Sequence, residues 1–474
     1  MRFYTFTVLP FGLTSAPYVF TKTLRPLVKH WRKLVFFLVL YLDDGWCRAP
    51  DEESCSIIAK KVKSDLISAG LVPNCEKSVW VATQQLQWLG LLWNSKDGYL
   101  QISHSRIQDI IESINSLISS LPKTSARKLA SVTGKIVSTF PVLGNTTKLM
   151  TRFLHHEIIK RTSWDDLFNI PSSSLSINEL FFWKSKFKIP VKRDFAKYLV
   201  PHTFVFSDAS STGCGAFILG SDVISNRTWD DTEILESSTW RELHAILYAL
   251  ISFSSRITAS SVKVFTDNKN AVSIYQSGSM NLKLHVLSLA IHNFCRDRAV
   301  TLDVQWIPRE ENQLADEISR FVDWDDWGVS SAFFSFVDNI YGPHTVDRFA
   351  DEMNSKLPKF NSRFWCRGSD RVDAFSLSWE GENNWIVPPL ALVTKAIFHL
   401  VASKAVGTLV IPVWPSSSFW PILFSRYSSV RYIVSSVFEI TDSRGVFIHG
   451  CNNRSLFGSD TFQAPVMVIR LDAR

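Results

Sequence analysis

The chain has 474 residues, enough for about three domains at roughly 150 residues each. Its 46% hydrophobic content, with 34 Phe, 17 Trp and 10 Tyr, excludes a disordered or low-complexity protein. The net charge of +7 hides an asymmetry: residues 1–200 carry 27 basic and 15 acidic side chains, residues 201–350 carry 11 and 19, and residues 351–474 carry 13 and 10, which suits a polyanionic partner for the first part and a cation-dependent site in the second.

Seven cysteines are scattered without a CxxC pair. That argues against a disulfide framework or a zinc site and for a reducing compartment. The longest apolar run, residues 34–42, has nine residues, whereas a membrane span needs about twenty. The N-terminus shows no signal-peptide pattern. The expectation is a soluble intracellular protein of the cytoplasm or nucleus with no membrane partner.

Residues 1–98 hold two aromatic-rich apolar stretches and close on the turn Lys96-Asp97-Gly98. The first stretch ends in Tyr41-Leu42-Asp43-Asp44-Gly45. Neighbours on a strand point to opposite faces, so at most one of these acids faces a given site. Residues 103–160 are predicted helical, because Ile107, Ile110, Ile111, Ile114 and Leu117 recur at three and four. Pro171-Ser172-Ser173-Ser174 reads as a linker. Residues 202–322 alternate strand-like and helix-like segments, as in an α/β domain. A polar break over residues 323–328 precedes a last α/β segment, residues 340–474, with strands over 407–413 and 464–471.

Within residues 202–322 four acids stand at element ends. A short apolar run ends at Asp208, residues 209–215 read as a hairpin turn, and 216–219 as the return strand. Leu243, Ile246, Leu247 and Leu250 mark one helix face, with Glu242 beside it near the helix start. Residues 262–266 form a strand leading to Asp267, and a strand over 304–307 leads to a helix starting around Asp316. Two acids at strand ends and two near helix starts can converge on one sheet edge. Four clustered carboxylates cannot all ionise unless cations neutralise them. Hard oxygen ligands suit Mg²⁺, and two such ions would support in-line phosphodiester cleavage. Taken singly, each acid reads better as a solvated surface group or a helix cap than as a metal ligand.

The ordered motifs Phe206-Ser207-Asp208-Ala209-Ser210, Arg241-Glu242-Leu243, Phe265-Thr266-Asp267-Asn268 and Trp306-Ile307-Pro308-Arg309-Glu310-Glu311-Asn312-Gln313-Leu314-Ala315-Asp316 resemble the ribonuclease H domain of retroelement polymerases. The resemblance implies that Asp208, Glu242, Asp267 and Asp316 bind two Mg²⁺ ions and cleave the RNA strand of an RNA–DNA hybrid. The family's usual histidine before the last acid is missing between Trp306 and Asp316.

Pro10-Phe11-Gly12-Leu13, the Asp43-Asp44 hairpin, Asn74-Cys75-Glu76-Lys77-Ser78 and Trp88-Leu89-Gly90 resemble the central and later palm motifs of a reverse transcriptase. The resemblance implies metal binding at Asp43 and Asp44. It implies nucleotide or primer contacts at Pro10, Phe11, Gly12, Lys77, Leu89 and Gly90. A thumb and connection would follow, matching 15 basic against 7 acidic side chains over residues 103–200, with Arg127, Lys128 and Lys135 as nucleic-acid contacts. Residues 340–474 resemble the degenerate adenine-methylase-like region of DIRS-like retrotransposons. Val387 and Leu390 stand where an active methylase has its polar and aromatic groups, so methyl transfer is not expected.

The expected architecture is multidomain α/β and α+β. It comprises a partial reverse transcriptase palm (1–98), a helical thumb and connection (99–200), an RNase H-like mixed-sheet α/β domain (201–322) and a methylase-like α/β module (340–474). The expected function is that of an N-terminally truncated retroelement polymerase fragment acting as an Mg²⁺-dependent hybrid ribonuclease, with other retroelement proteins as further partners. Two alternatives stand beside it: an RNA-directed DNA polymerase whose remaining N-terminal part lies upstream in the gene, and a non-catalytic nucleic-acid-binding relic.

Overall fold

The computed structural model describes residues 9–10, 12–195, 200–323, 327–425, 430–450, 455–457 and 462–474. The chain divides into two units, Met1–Tyr198 and Leu199–Arg474.

In the first unit, helix α1 (Ala16–Lys33) opens with a proline in its first turn, where the missing N–H costs nothing. The hairpin β1 (Phe37–Tyr41) and β2 (Asp44–Arg48) follows, with Tyr41 opposite Asp44. The nine-residue apolar run yields only five strand residues, because Val35 and Leu42 adopt left-handed φ of +61° and +57° and turn the chain at both ends. Helix α2 (Glu52–Ser68) is capped by Asp51, which accepts from Ser54 N at 2.7 Å. Strands β3 (Gln85–Trp88), β4 (Leu91–Asn94), β5 (Tyr99–Ile102) and β6 (Lys192–Asp194) make an antiparallel sheet in that order.

Helices α3 (His104–Ser120), α4 (Ala126–Val137), α5 (Arg152–Ile159) and α6 (Leu175–Lys186) pack on one core. Of the predicted α3 face, Ile107, Ile110, Ile114 and Leu117 are buried and Ile111 packs at its margin. The Pro171–Ser174 stretch is no linker: Ser174 Oγ caps α6, accepting from Ser176 N at 3.3 Å. Polar turn residues serve both purposes, so composition alone does not separate a domain boundary from a helix start. Between residues 12 and 90 the buried hydrophobics among the described residues are Leu24, Trp31 and Ala59, whereas Phe37, Val39, Tyr41 and Ile57 are exposed.

The second unit begins with a five-stranded mixed sheet. Strands β7 (Thr203–Ala209), β8 (Gly213–Ile218) and β9 (Ile224–Thr228) form an antiparallel meander. Helix α7 (Ser238–Ser252) leads to β10 (Ser261–Thr266), which lies parallel to β7. Helices α8 (Lys269–Ser277) and α9 (Leu282–Asp297) lead to β11 (Thr301–Trp306), parallel to β10, and α10 (Gln313–Arg320) closes this part. The strand order is β9-β8-β7-β10-β11. Leu243, Ile246 and Leu250 of α7 are fully buried against Val205, Val262, Val264 and Val304, and Leu247 is partly so.

The turn expected over residues 209–215 is shorter, because β8 already starts at Gly213. Gly213 and Gly215 are strand residues with α10 lying directly on them. A Cβ at Gly215 would meet the backbone of Ile318 and Ser319, and one at Gly213 the carbonyls of Arg227 and Ser319. Glycine here lets a helix approach a sheet, not a chain reverse.

The remainder carries α11 (Ser331–Tyr341), β12 (Val346–Asp347), β13 (Asn383–Ile386), α12 (Val393–Ala402), β14 (Val406–Pro412), β15 (Val434–Ile440) and β16 (Val466–Asp472). The sheet order is β12-β13-β14-β16-β15, the first three parallel and β16 antiparallel to both its neighbours. Leu409, Ile411 and Ile469 share a core with Ile397 and Leu400 of α12. Among the described residues no helix is long and apolar enough to cross a membrane.

Candidate metal centre

Parallel pairing sets Phe206 of β7 opposite Phe265 of β10. Asp208 and Asp267 each lie two residues further on, so strand register alone places them side by side at one sheet edge. Helix α7 is capped by Ser237, whose Oγ accepts from Trp240 N at 3.2 Å. Glu242 therefore falls in the second turn, on the face that also buries Leu243 and Ile246. Asp208, Glu242 and Asp267 each offer a carboxylate oxygen within 4.8 Å of the others. Asp208 and Glu242 are buried and Asp267 is half-buried.

Such crowding is costly without cations. Burial, followed by the charges of Asp267 and Asp316, outweighs the Ser319 hydrogen bond and pushes the Asp208 carboxyl up to about 6. Glu242 is raised well above its ordinary range by burial and then by Asp208 and Asp267. Burial raises Asp267 as well. Two buried carboxylates and one half-buried one that resist ionisation together form a donor set for a hard divalent cation, and their oxygens fit Mg²⁺.

Neighbouring groups fix these carboxylates and the backbone that carries them. Ser319 Oγ donates to Asp208 Oδ2 at 2.9 Å, and Asn312 Nδ2 donates to Ser207 O at 3.1 Å. Thr266 Oγ1 donates to Glu242 Oε2 at 3.4 Å. Trp306 Nε1 donates to the Asp267 carbonyl at 2.9 Å.

The fourth acid behaves differently. Asp316 accepts from Arg309 Nη2 at 2.8 Å and from Arg320 Nε and Nη2, both at 2.8 Å. The Arg320 hydrogen bond leads in holding its carboxyl below the ordinary range, with Arg309 contributing. It stands outside the group of three, yet its charge is felt by Asp208 and Asp267. Sequence reasoning assigned no role to Ser319, Arg309 or Arg320. The i,i+4 spacing of Asp316 and Arg320 was a usable signal. Ser319 carried none, since only the packing of α10 on β8 brings it to Asp208.

The residues nominated in the first unit do not gather into a metal-ligand group among the described residues. Asp43 lies in the two-residue turn of the β1–β2 hairpin and Asp44 opens β2, both exposed. Pro10 is half-buried, Gly12 is exposed at φ +91°, and Phe11 lies outside the described residues. The Lys77 backbone N–H donates to Asn74 Oδ1 at 3.1 Å, and its side chain is exposed. Leu89 and Gly90 form the β3–β4 turn with φ of +49° and +73°. Arg106 Nη1 donates to Leu89 O at 2.7 Å, and its guanidinium fills the space a side chain on Gly90 would need.

The three nominated cations already have partners. Arg127 pairs with Asp165 through Nε at 2.6 Å and Nη2 at 2.9 Å. Lys128 Nζ donates to Ser116 O at 2.8 Å and Ser120 Oγ at 3.0 Å. Lys135 Nζ reaches Asp109 at 2.6 Å and Ser113 Oγ at 2.9 Å.

Residues 1–92 match the family described as reverse transcriptase (RNA-dependent DNA polymerase). The retrovirus-related Pol polyprotein from transposon opus of Drosophila melanogaster is 23% identical over 333 residues, covering 67% of this chain and 31% of that polyprotein. The chain thus spans about a third of the length of that curated relative. A foamy viral protease–reverse transcriptase solved with double-stranded DNA is 16% identical, covering 63% of this chain and 50% of its own, with a TM-score of 0.34. Ribonuclease H1 from the halophilic archaeon Halobacterium salinarum is 12% identical over 24% of this chain and 92% of its own, with a TM-score of 0.22.

Proposed function

We propose, for a chain whose residues 1–92 belong to the reverse transcriptase family and which is related to a retrotransposon Pol polyprotein, that residues 201–322 form a ribonuclease H-type domain cleaving the RNA strand of an RNA–DNA hybrid. One observation carries this reading: Asp208, Glu242 and Asp267, from three separate elements, present carboxylate oxygens within 4.8 Å of one another.

These three residues would hold divalent ions, with Asp316 beside them. Bound there, Mg²⁺ supplies a water of lowered pKa and stabilises charge on the reacting phosphate. The protein's own groups prepare the site. Ser319 holds the Asp208 carboxylate, and the Thr266 hydroxyl orients Glu242. Arg309 and Arg320 keep Asp316 ionised and line the acids with positive charge, where a polyanion would otherwise be repelled. Lys269, which opens α8 two residues beyond Asp267 and lies 4.1 Å from the centroid of the Trp306 ring, adds a further cation. No side-chain nucleophile is required, and the products carry a 3′-hydroxyl and a 5′-phosphate.

The remaining assignments follow the same reading: palm-like residues 1–98, thumb and connection 99–200, and a methylase-like module 340–474. Val387, in the position of a methylase's polar group, is only 8% exposed and packs with Trp385 and Val410. That supports a scaffold in place of methyl transfer. RNA–DNA hybrid and other retroelement proteins are the partners, in the cytoplasm or nucleus. A second reading, RNA-directed DNA synthesis, is favoured by the family match over residues 1–92. It would use Asp43 and Asp44.

The test is cleavage of an end-labelled hybrid with Mg²⁺ by wild type and Asp208→Asn. Cleavage by wild type alone supports the reading. Equal cleavage by both removes it, and no cleavage by either leaves the binding relic as the better description. Primer extension on an RNA template by wild type and Asp43→Asn/Asp44→Asn tests the second reading.

A further inference from the structure

A cleft of about 890 Å³ opens where the end of α7 meets the segment 358–371. It lies well away from the carboxylates. Ser252, which lines it, is ten residues beyond Glu242 on the same helix, about 15 Å at 1.5 Å per residue. The segment is tied to the sheet by Trp365 N donating to Ile224 O at 2.9 Å, so the walls are part of the fold.

Its lining is cationic. Arg256, Lys359 and Arg371 stand against one acid, Asp370. Arg256 lies 4.7 Å from the centroid of the Trp365 ring, which holds its planar guanidinium in place while leaving the N–H edge available. Lys359 reaches Glu382, outside the cleft. Ser252 also lines the cleft, 3% exposed, with its buried hydroxyl lacking any hydrogen-bond partner. A buried orphan hydroxyl costs free energy that folding alone does not return, and a bound acceptor would recover it.

We infer that this cleft binds a phosphate group, presented by a nucleotide or by the backbone of a single strand. The volume lies within the usual range for small-molecule sites. Guanidinium groups bind phosphate oxygens through paired N–H bonds, and the unpartnered Ser252 hydroxyl supplies a further donor. The assignment does not depend on the ribonuclease reading, because it uses none of the four acids.

The experiment uses the full chain in excess EDTA, so that metal-assisted binding at the carboxylates is suppressed. Binding of a fluorescent AMP derivative is measured, with competition by inorganic phosphate, AMP and a ten-residue oligothymidylate. Wild type is expected to bind saturably and to be competed by inorganic phosphate. Arg256→Gln/Arg371→Gln is expected to weaken binding at least about tenfold, the loss of two charge-assisted contacts. Ser252→Ala removes a buried hydroxyl that makes no internal hydrogen bond, so its unfolding midpoint is expected at or above that of wild type while it binds several-fold more weakly. Asp208→Asn is expected to bind like wild type.

Competition by AMP but not by the oligonucleotide assigns a nucleotide, and competition by both assigns a strand backbone. Absence of saturable binding, or unchanged affinity in the double variant and in Ser252→Ala, overturns the inference. Loss of binding in Asp208→Asn alone would place the ligand at the carboxylates and overturn it as well.

Discussion

Replacing Asp208 by Asn perturbs both the electrostatics and the chemistry of the site, in opposite directions. The unfolded chain titrates this carboxyl near 3.8, and the native protein near 6. Between those values the native state binds more protons, so stability falls as pH rises through 4 to 6, and the full deficit persists at pH 7. The difference of about 2 pH units at 1.36 kcal/mol each amounts to roughly 3 kcal/mol. Asparagine removes that cost while keeping an acceptor for Ser319 Oγ, whose opposing effect is already contained in the shift. The expected net gain without metal at pH 7 is therefore up to about 3 kcal/mol. It should vanish at pH 4, where native Asp208 is already protonated. Adding millimolar Mg²⁺ should stabilise wild type by mass action and the variant far less, because one ligand is gone. Urea unfolding of the full chain at pH 4 and 7, with EDTA or Mg²⁺, measures all four states. A wild type indifferent to Mg²⁺, or a variant stabilised by Mg²⁺ to the same degree, would refute a shared cation site.

Gly215→Ala should destabilise the second unit by about 1–3 kcal/mol through overpacking, because the new methyl meets the α10 backbone; the same unfolding curves report it. Arg309→Gln removes a charge that lowers the carboxyl pKa values of Asp208, Asp267 and Asp316. The acid limb of the cleavage pH profile should move to higher pH, by less than about one unit because the pair is exposed and screened by solvent, with Arg309→Lys restoring most of it. In the first unit, burial pushes the Glu179 carboxyl up to about 8. The native state therefore holds more protons than the unfolded chain between 4.5 and 8, and stability falls as pH rises through that window. Glu179→Gln should flatten that slope. It should also cost about 1 kcal/mol at pH 5, because Phe153 N and Leu154 N donate to separate oxygens and an amide offers only one. Urea midpoints from pH 5 to 8.5 decide it.

What could be read from the residues was local. The three- and four-residue recurrence of Ile107, Ile110, Ile114 and Leu117 marked the face that α3 buries. The recurrence of Leu243, Ile246 and Leu250 did the same for α7. The apolar runs before Asp208 and Asp267 became adjacent parallel strands. These patterns are legible because side-chain direction repeats with the backbone period, 3.6 or 2 residues. The identity of the candidate acids was legible for a second reason: Asp208 and Asp267 stand where strands end, and Glu242 and Asp316 in the first two turns of helices.

Tertiary structure alone decided how those acids are arranged. Asp208, Glu242 and Asp267 meet because β7 and β10 pair in one register and α7 packs across them. Asp316, equally well placed along the chain, is drawn into ion pairs with Arg309 and Arg320. Ser319 reaches Asp208 only because Gly213 and Gly215 let α10 settle on the sheet. Contacts between residues over a hundred positions apart depend on register and packing distance. Neither quantity leaves a periodic trace in a single sequence, whereas the helices and strands themselves do.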